Sequence, residues 1–152
     1  MSAVARQVTA SPVPRTLPVL DRFRELAATR GGDEAMCTPQ GERYTWREWH
    51  DASRRFAAAL VAAGIGRGER VAVLAANLPL WPIADVGALL AGVVSVGVYP
   101  TSAPTQILEM LADCEARLIV VDGPEQLAKV MAVRDELPRL GTVVVLEGEG
   151  EG

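Results

Sequence analysis

The stretch Arg70-Val-Ala-Val-Leu-Ala-Ala-Asn-Leu-Pro-Leu-Trp-Pro-Ile-Ala-Asp-Val-Gly-Ala-Leu-Leu-Ala-Gly-Val-Val-Ser-Val-Gly-Val-Tyr99 decides the fold class. Arg70–Ala76 is a short continuous apolar run of strand character. Asn77-Leu78-Pro79 then carries helix-start chemistry, and the helix is expected to continue to about Val94. Ser95–Tyr99 reads as a second buried strand. A strand, a helix and a strand without polar alternation is the signature of parallel pairing, in which helices cover the sheet on both faces.

Working outward, the same pattern continues. Pro100–Pro104 reads as a turn into a helix whose Ile107, Met110, Leu111 and Cys114 share a face. Leu118–Val121 is a third strand, Asp122-x-x-Glu125 is placed to cap another helix, and Thr142–Leu146 is a fourth strand. On the other side, Val19, Leu20, Phe23, Leu26 and Ala27 line one helical face that ends at Gly31-Gly32. Ala35–Thr38 and Glu42–Thr45 flank Pro39-Gln40-Gly41 as a hairpin. Thr45 and Glu48 form a capping box, opening a helix with Trp46, Trp49, Ser53, Phe56, Leu60 and Ala63 on its packing side. The reading is therefore an α/β protein with a mostly parallel sheet. Residues 1–15 form a flexible arm, 16–146 the α/β unit, and 147–152 a polar linker or cut end.

The chain of 152 residues is 49% apolar and 22% charged, which suits one globular domain and excludes a disordered or fibrous chain. A net charge of −4 without a basic block argues against affinity for nucleic acid built on phosphate contacts. Cys37 and Cys114 are far apart, with no metal-ligand spacing, as in a reduced cytoplasmic protein. The longest uncharged apolar run, Val86–Tyr99, falls short of the ~20 residues of a spanning helix, so no transmembrane segment is expected. Fourteen of the fifteen basic residues are arginine, so any chemistry that needs a lysine must use Lys129.

Most candidate functional residues have a plain structural reading. Gly64-Ile-Gly-Arg-Gly68 follows a helix and precedes a strand, the reverse of a dinucleotide fingerprint, and reads as a helix end plus turn. His50, on the polar side of its helix, reads as solvated surface. Cys114 reads as a small core residue. Cys37 has no neighbour to activate it. Trp46 and Trp49, at helical spacing, read as packing. In open parallel sheets ligands sit beyond the carboxyl ends of the strands, which here are Asn77, Tyr99–Ser102 and Asp122. Tyr99, Thr101 and Ser102 are the candidates for a substrate cavity. The rival reading has Tyr99 filling the core while Thr101 and Ser102 cap the next helix.

Three stretches add a resemblance. Tyr44-Thr-Trp-Arg-Glu48 with Gly66-Arg-Gly-Glu-Arg-Val-Ala-Val-Leu-Ala-Ala-Asn77 resembles the opening of AMP-forming acyl-CoA synthetases of the adenylate-forming superfamily. Asn77-Leu-Pro-Leu-Trp-Pro-Ile-Ala-Asp85 and Gly87-Ala-Leu-Leu-Ala-Gly92 continue it. Val96-Gly-Val-Tyr-Pro-Thr-Ser-Ala-Pro104 resembles the long-chain fatty-acid–CoA ligase branch. The resemblance spans roughly Leu17 to Leu146 and implies the N-terminal portion of that family's large domain. It also implies a cytoplasmic enzyme, with peripheral membrane attachment left open.

For a full-length enzyme, the resemblance implies ATP, Mg²⁺ and coenzyme A as cofactors, with fatty acid and coenzyme A as substrates. A carboxylate attacks the ATP α-phosphorus to give acyl-adenylate and pyrophosphate, and the coenzyme A thiol then displaces AMP. The family's Ser/Thr/Gly-rich phosphate loop ending Pro-Lys-Gly has no match here, nor do its later motifs or its C-terminal domain. No catalytic, cofactor-binding or metal-ligating residue is therefore assigned in this chain, which is expected to be inactive without the rest of the ligase. The alternatives are another carboxylate-activating enzyme of the superfamily, or a free-standing non-catalytic α/β binding module.

Overall fold

A computed structural model describes residues 18–145. The expected arm at 1–15, the helix start at Thr16 and the stretch from Leu146 to Gly152 lie outside the described residues. The N-terminal part comprises helix α1 (Pro18–Thr29), the antiparallel hairpin β1 (Glu34–Cys37) and β2 (Arg43–Thr45), and helix α2 (Trp46–Ala62). Then come β3 (Arg70–Leu74), α3 (Leu80–Leu90), β4 (Val94–Val98), α4 (Pro104–Asp113), β5 (Leu118–Val121), α5 (Pro124–Met131) and β6 (Thr142–Val145).

The last four strands form one parallel sheet in the order β4-β3-β5-β6. Side chains alternate across it, as the two-residue strand period requires. Val71 and Val120 pack with Leu60 of α2 and Ala88 of α3 on one face. Ala72, Leu74, Ile119 and Val121 pack with Ile107 and Leu111 of α4 and Val130 of α5 on the other. The uninterrupted apolar runs of β3 and β5 follow from this burial on both sides.

Helices α2 and α3 approach closely because the facing residues are small. Ser53 is fully buried, and a Cβ placed on Gly87 would lie 2.7 Å from Phe56 Cδ1 and 2.8 Å from the Ser53 carbonyl oxygen. At the start of α2, the Glu48 amide donates to Thr45 Oγ1, while the Glu48 carboxylate accepts from the Thr45 amide at 2.8 Å. These hydrogen bonds hold the Glu48 carboxyl below its ordinary range. Gly64, at φ +74°, ends the α2 segment. The following turn is pinned by the Gly66 amide donating to Glu69 at 2.5 Å and by the Glu69–Arg117 ion pair. The helix-end reading of these glycines therefore holds.

Several expectations need correction. Helix α3 runs from Leu80 to Leu90, shorter than the expected 77–94. Pro79 occupies its N-cap with no side-chain hydrogen bond, so Asn77 is not the cap. Gly92, at φ +74°, turns the chain into β4. The second strand was expected as a buried Ser95–Tyr99; β4 instead runs Val94–Val98, with Val98 alone of it buried and Val94 48% exposed. The reason is position: β4 lies at the edge of the sheet and pairs only with β3 among the described residues. Asp122 does not cap α5. Gly123 takes the N-cap position, while Asp122 accepts the Ala76 amide at 2.5 Å and ties the end of β3 to the end of β5.

His50 is not solvated surface. Its side chain is 21% exposed and its ring lies 5.8 Å from that of Phe23, because α1 leans across α2. Phe23 also meets Trp49 edge-on at 4.9 Å, and Trp46 stacks on Trp49 at 5.6 Å, so the tryptophan pair is packing. Ala63 and Val19 were placed on packing faces and are exposed. Cys114 is half-buried beside the core under α4, and burial pushes its thiol pKa up. Cys37 is exposed.

Candidate functional site

A groove of about 440 Å³ opens just past the carboxyl ends of β3 and β4. Its β3 side is built by Ala75 and Asn77, just past the strand, with Trp81 from the first turn of α3. Its β4 side is built by Gly97, Val98, Tyr99 and Pro100. The lining is mostly apolar, and Asn77 and Tyr99 are its residues with polar side-chain groups. Mostly apolar lining with a few placed polar groups is the usual make-up of a small-molecule site.

Local sequence explains the shape. Gly97 lets the Trp81 ring lie close along β4, since a Cβ there would sit 3.1 Å from Trp81 Cζ2. Trp49 holds the other side of this turn by donating from Nε1 to the Pro82 carbonyl at 3.3 Å. Tyr99 projects outward and is 78% exposed, so it does not fill the core. After it, the Ser102 amide donates to the Tyr99 carbonyl at 2.9 Å and closes a turn. The turn is clasped from α5, where Lys129 Nζ donates to the Pro100 carbonyl at 2.7 Å and pairs with Glu125 at 3.2 Å.

Of the residues placed at the strand ends by sequence, Asn77 and Tyr99 come together in the groove. Thr101 is exposed and Ser102 is buried, and neither lines it. They do not cap α4 either. Ala103 is the N-cap, and its amide donates to Gln106 Oε1 at 2.9 Å. Asp122 is committed to the Ala76 amide. Sequence reasoning on strand ends alone missed Trp81 and the Lys129 clasp. For Trp81 a signal existed, since a glycine in the neighbouring strand leaves room for a large ring.

Among the described residues, no group of three or more His, Cys, Asp or Glu side chains could hold a metal ion. The chain's single lysine is engaged with Pro100 and Glu125 on a helix, not on a phosphate-binding loop. No helix among the described residues is long and apolar enough to cross a membrane.

Comparison with known proteins gives concordant results. A family model described as AMP-binding enzyme matches residues 23–152. A long-chain-fatty-acid–CoA ligase of Xenopus laevis, ACSBG2, is 31% identical over 97% of this chain and 21% of its own length. The Drosophila melanogaster long-chain-fatty-acid–CoA ligase heimdall is 37% identical over 70% of this chain and 16% of its own. The chain thus spans about a fifth of the length of the curated relatives it matches. Among solved structures, an anthranilate CoA ligase in complex with anthranoyl-AMP superposes with a TM-score of 0.82. It is 26% identical and covers 88% of this chain and 26% of its own. A fatty acyl CoA synthetase of Mycobacterium tuberculosis, 22% identical over 84% of this chain and 26% of its own, shares the fold with a TM-score of 0.79.

Proposed function

The chain belongs to the AMP-binding enzyme family, and on that premise we propose that it is the N-terminal portion of a long-chain fatty-acid–CoA ligase. The whole ligase activates a fatty acid with ATP and Mg²⁺ and passes the acyl group to coenzyme A. The observation that carries the branch is the match to long-chain ligases along 97% of this chain.

The family's Pro-Lys-Gly phosphate loop and its later motifs have no match in this chain, so we place the adenylation machinery in the rest of the ligase. This segment contributes a scaffold and one wall of a substrate passage. The groove past β3 and β4 is that wall. Trp81, Ala75 and Val98 offer apolar surface to an acyl chain or a pantetheine arm, and the Tyr99 hydroxyl and Asn77 offer orienting hydrogen bonds. Thr101 lies two residues past Tyr99, and the Ser102 amide closes the turn on the Tyr99 carbonyl, so their part in the passage is through the loop's shape. Residues 16–146 act as one α/β subdomain, with 1–15 and 147–152 as its flanking arm and linker. The enzyme works in the cytoplasm.

The test uses the gene product as cells make it, recovered with an antibody against this chain and assayed with palmitate, ATP, Mg²⁺ and coenzyme A. Palmitoyl-CoA formation by a polypeptide longer than this chain's 16.2 kDa is expected. In that product, Tyr99→Ala should raise the KM for palmitate or coenzyme A more than it lowers the folded fraction, and Tyr99→Phe separates hydroxyl from ring. If Tyr99→Phe leaves all constants intact and Tyr99→Ala loses activity only with folded protein, the passage role is wrong.

A further inference from the structure

A second concavity, of about 370 Å³, shares no residue with the groove and lies where α1, α2 and α3 meet. It is lined by Arg24 of α1, by His50, Arg54 and Ala57 of α2, and by Leu90 of α3. His50, Arg54 and Ala57 stand on one face of α2 because they are four and three residues apart. The packing of Phe23 on His50 fixes α1 beside them and brings Arg24 across.

One of the two guanidinium groups at this concavity is left without a charged partner among the described residues. Arg54 makes no ion pair or side-chain hydrogen bond among the described residues. Arg24 pairs only with Asp21 on its own helix, at 3.3 Å. His50 Nδ1 lies 3.4 Å from Asp51 Oδ1. Both acids face solvent, with side chains 54% and 51% exposed. The chain as a whole carries −4, so a cationic hollow here is not a reflection of overall charge. Two guanidinium forks and an imidazole, beside the apolar Ala57 and Leu90, are a donor set that suits a tetrahedral oxyanion.

We propose that this hollow binds a phosphate group, with Arg24 and Arg54 as its principal donors. The phosphate can come from a small soluble ligand or from a lipid headgroup, and two arms of one experiment distinguish them. The 152-residue chain is titrated with inorganic phosphate by calorimetry, and in parallel floated with phosphatidylcholine vesicles containing phosphatidic acid. Arg54→Gln and Arg24→Gln are compared with Arg55→Gln, a neighbouring exposed arginine outside the hollow that removes the same charge. Saturable binding of inorganic phosphate that weakens about tenfold or more in Arg54→Gln and Arg24→Gln, with Arg55→Gln unchanged, supports a site for soluble phosphate. The same variant pattern on vesicles, without binding of inorganic phosphate, assigns the site to a headgroup. No binding in either arm, or equal weakening by Arg55→Gln, overturns the proposal.

Discussion

Replacing Gly87 by alanine sets two effects of opposite sign against each other, and the structure decides between them. In an isolated helix the change should stabilise by about 1 kcal/mol, because glycine is a poor helix former. Here the new Cβ would stand 2.7 Å from Phe56 Cδ1 and 2.8 Å from the Ser53 carbonyl oxygen. Carbon atoms in contact prefer about 3.5–4.0 Å, so the overlap is near 1 Å. Phe56 can swing away at some loss of packing. The Ser53 carbonyl is part of the backbone of α2, and it yields only if the two helices separate and loosen the Leu60–Ala88 contact over the sheet.

Overpacking of this kind costs about 1–3 kcal/mol. Set against the propensity gain, the expected net destabilisation is up to about 2 kcal/mol. Urea unfolding of the 152-residue chain, followed by tryptophan fluorescence, should show a midpoint lowered by up to roughly 1 M. Adding Phe56→Leu should recover part of the loss and not all of it, since the carbonyl overlap remains. A midpoint that rises in Gly87→Ala would refute the close crossing of α2 and α3.

Other expectations concern the cap of α2 and the groove. Thr45→Ala should cost ~1 kcal/mol in the same unfolding measurement, because it removes the hydroxyl that accepts from the Glu48 amide. The Glu48 carboxyl is held below its ordinary value of 4.5, chiefly by the Thr45 amide. Its contribution is therefore present above that pH and is lost as the pH falls through the lower folded value. Glu48→Gln should accordingly lose less stability than the parent chain as the pH is lowered below 4.5, and identical acid profiles would contradict the capping box. The Tyr99→Ala and Tyr99→Phe pair in the native gene product tests the passage wall, through KM against folded fraction.

Much of the fold is legible in the sequence because it is local or periodic. Leu118–Val121 is four apolar residues, and it forms a strand buried at every position. The Thr45–Glu48 box lies within one helical turn, so no distant residue can alter it. What local patterns cannot supply is what stands opposite. Val94–Val98 is apolar like a central strand, yet it occupies an edge because the chain reverses its winding after it and places β5 on the far side of β3. Asp122 has cap chemistry, but its carboxylate accepts from the amide of Ala76, 46 residues earlier in the chain. His50 sits among charged neighbours in sequence, while Phe23 comes to it from another helix. At the groove, the strand-end rule located Tyr99 and Asn77. Trp81 escaped it because the room for its ring is left by Gly97 on the neighbouring strand.

As proposed above, the chain supplies scaffold and passage wall to a ligase whose nucleotide chemistry lies elsewhere. The most direct measurement is pyrophosphate release by the purified 152-residue chain incubated with palmitate, ATP, Mg²⁺ and coenzyme A. Release at the level of a protein-free control is the expected result, with palmitoyl-CoA formed only by the longer native product. Robust, palmitate-dependent release from the 152-residue chain would show that these residues carry the adenylation step themselves, and would contradict the account.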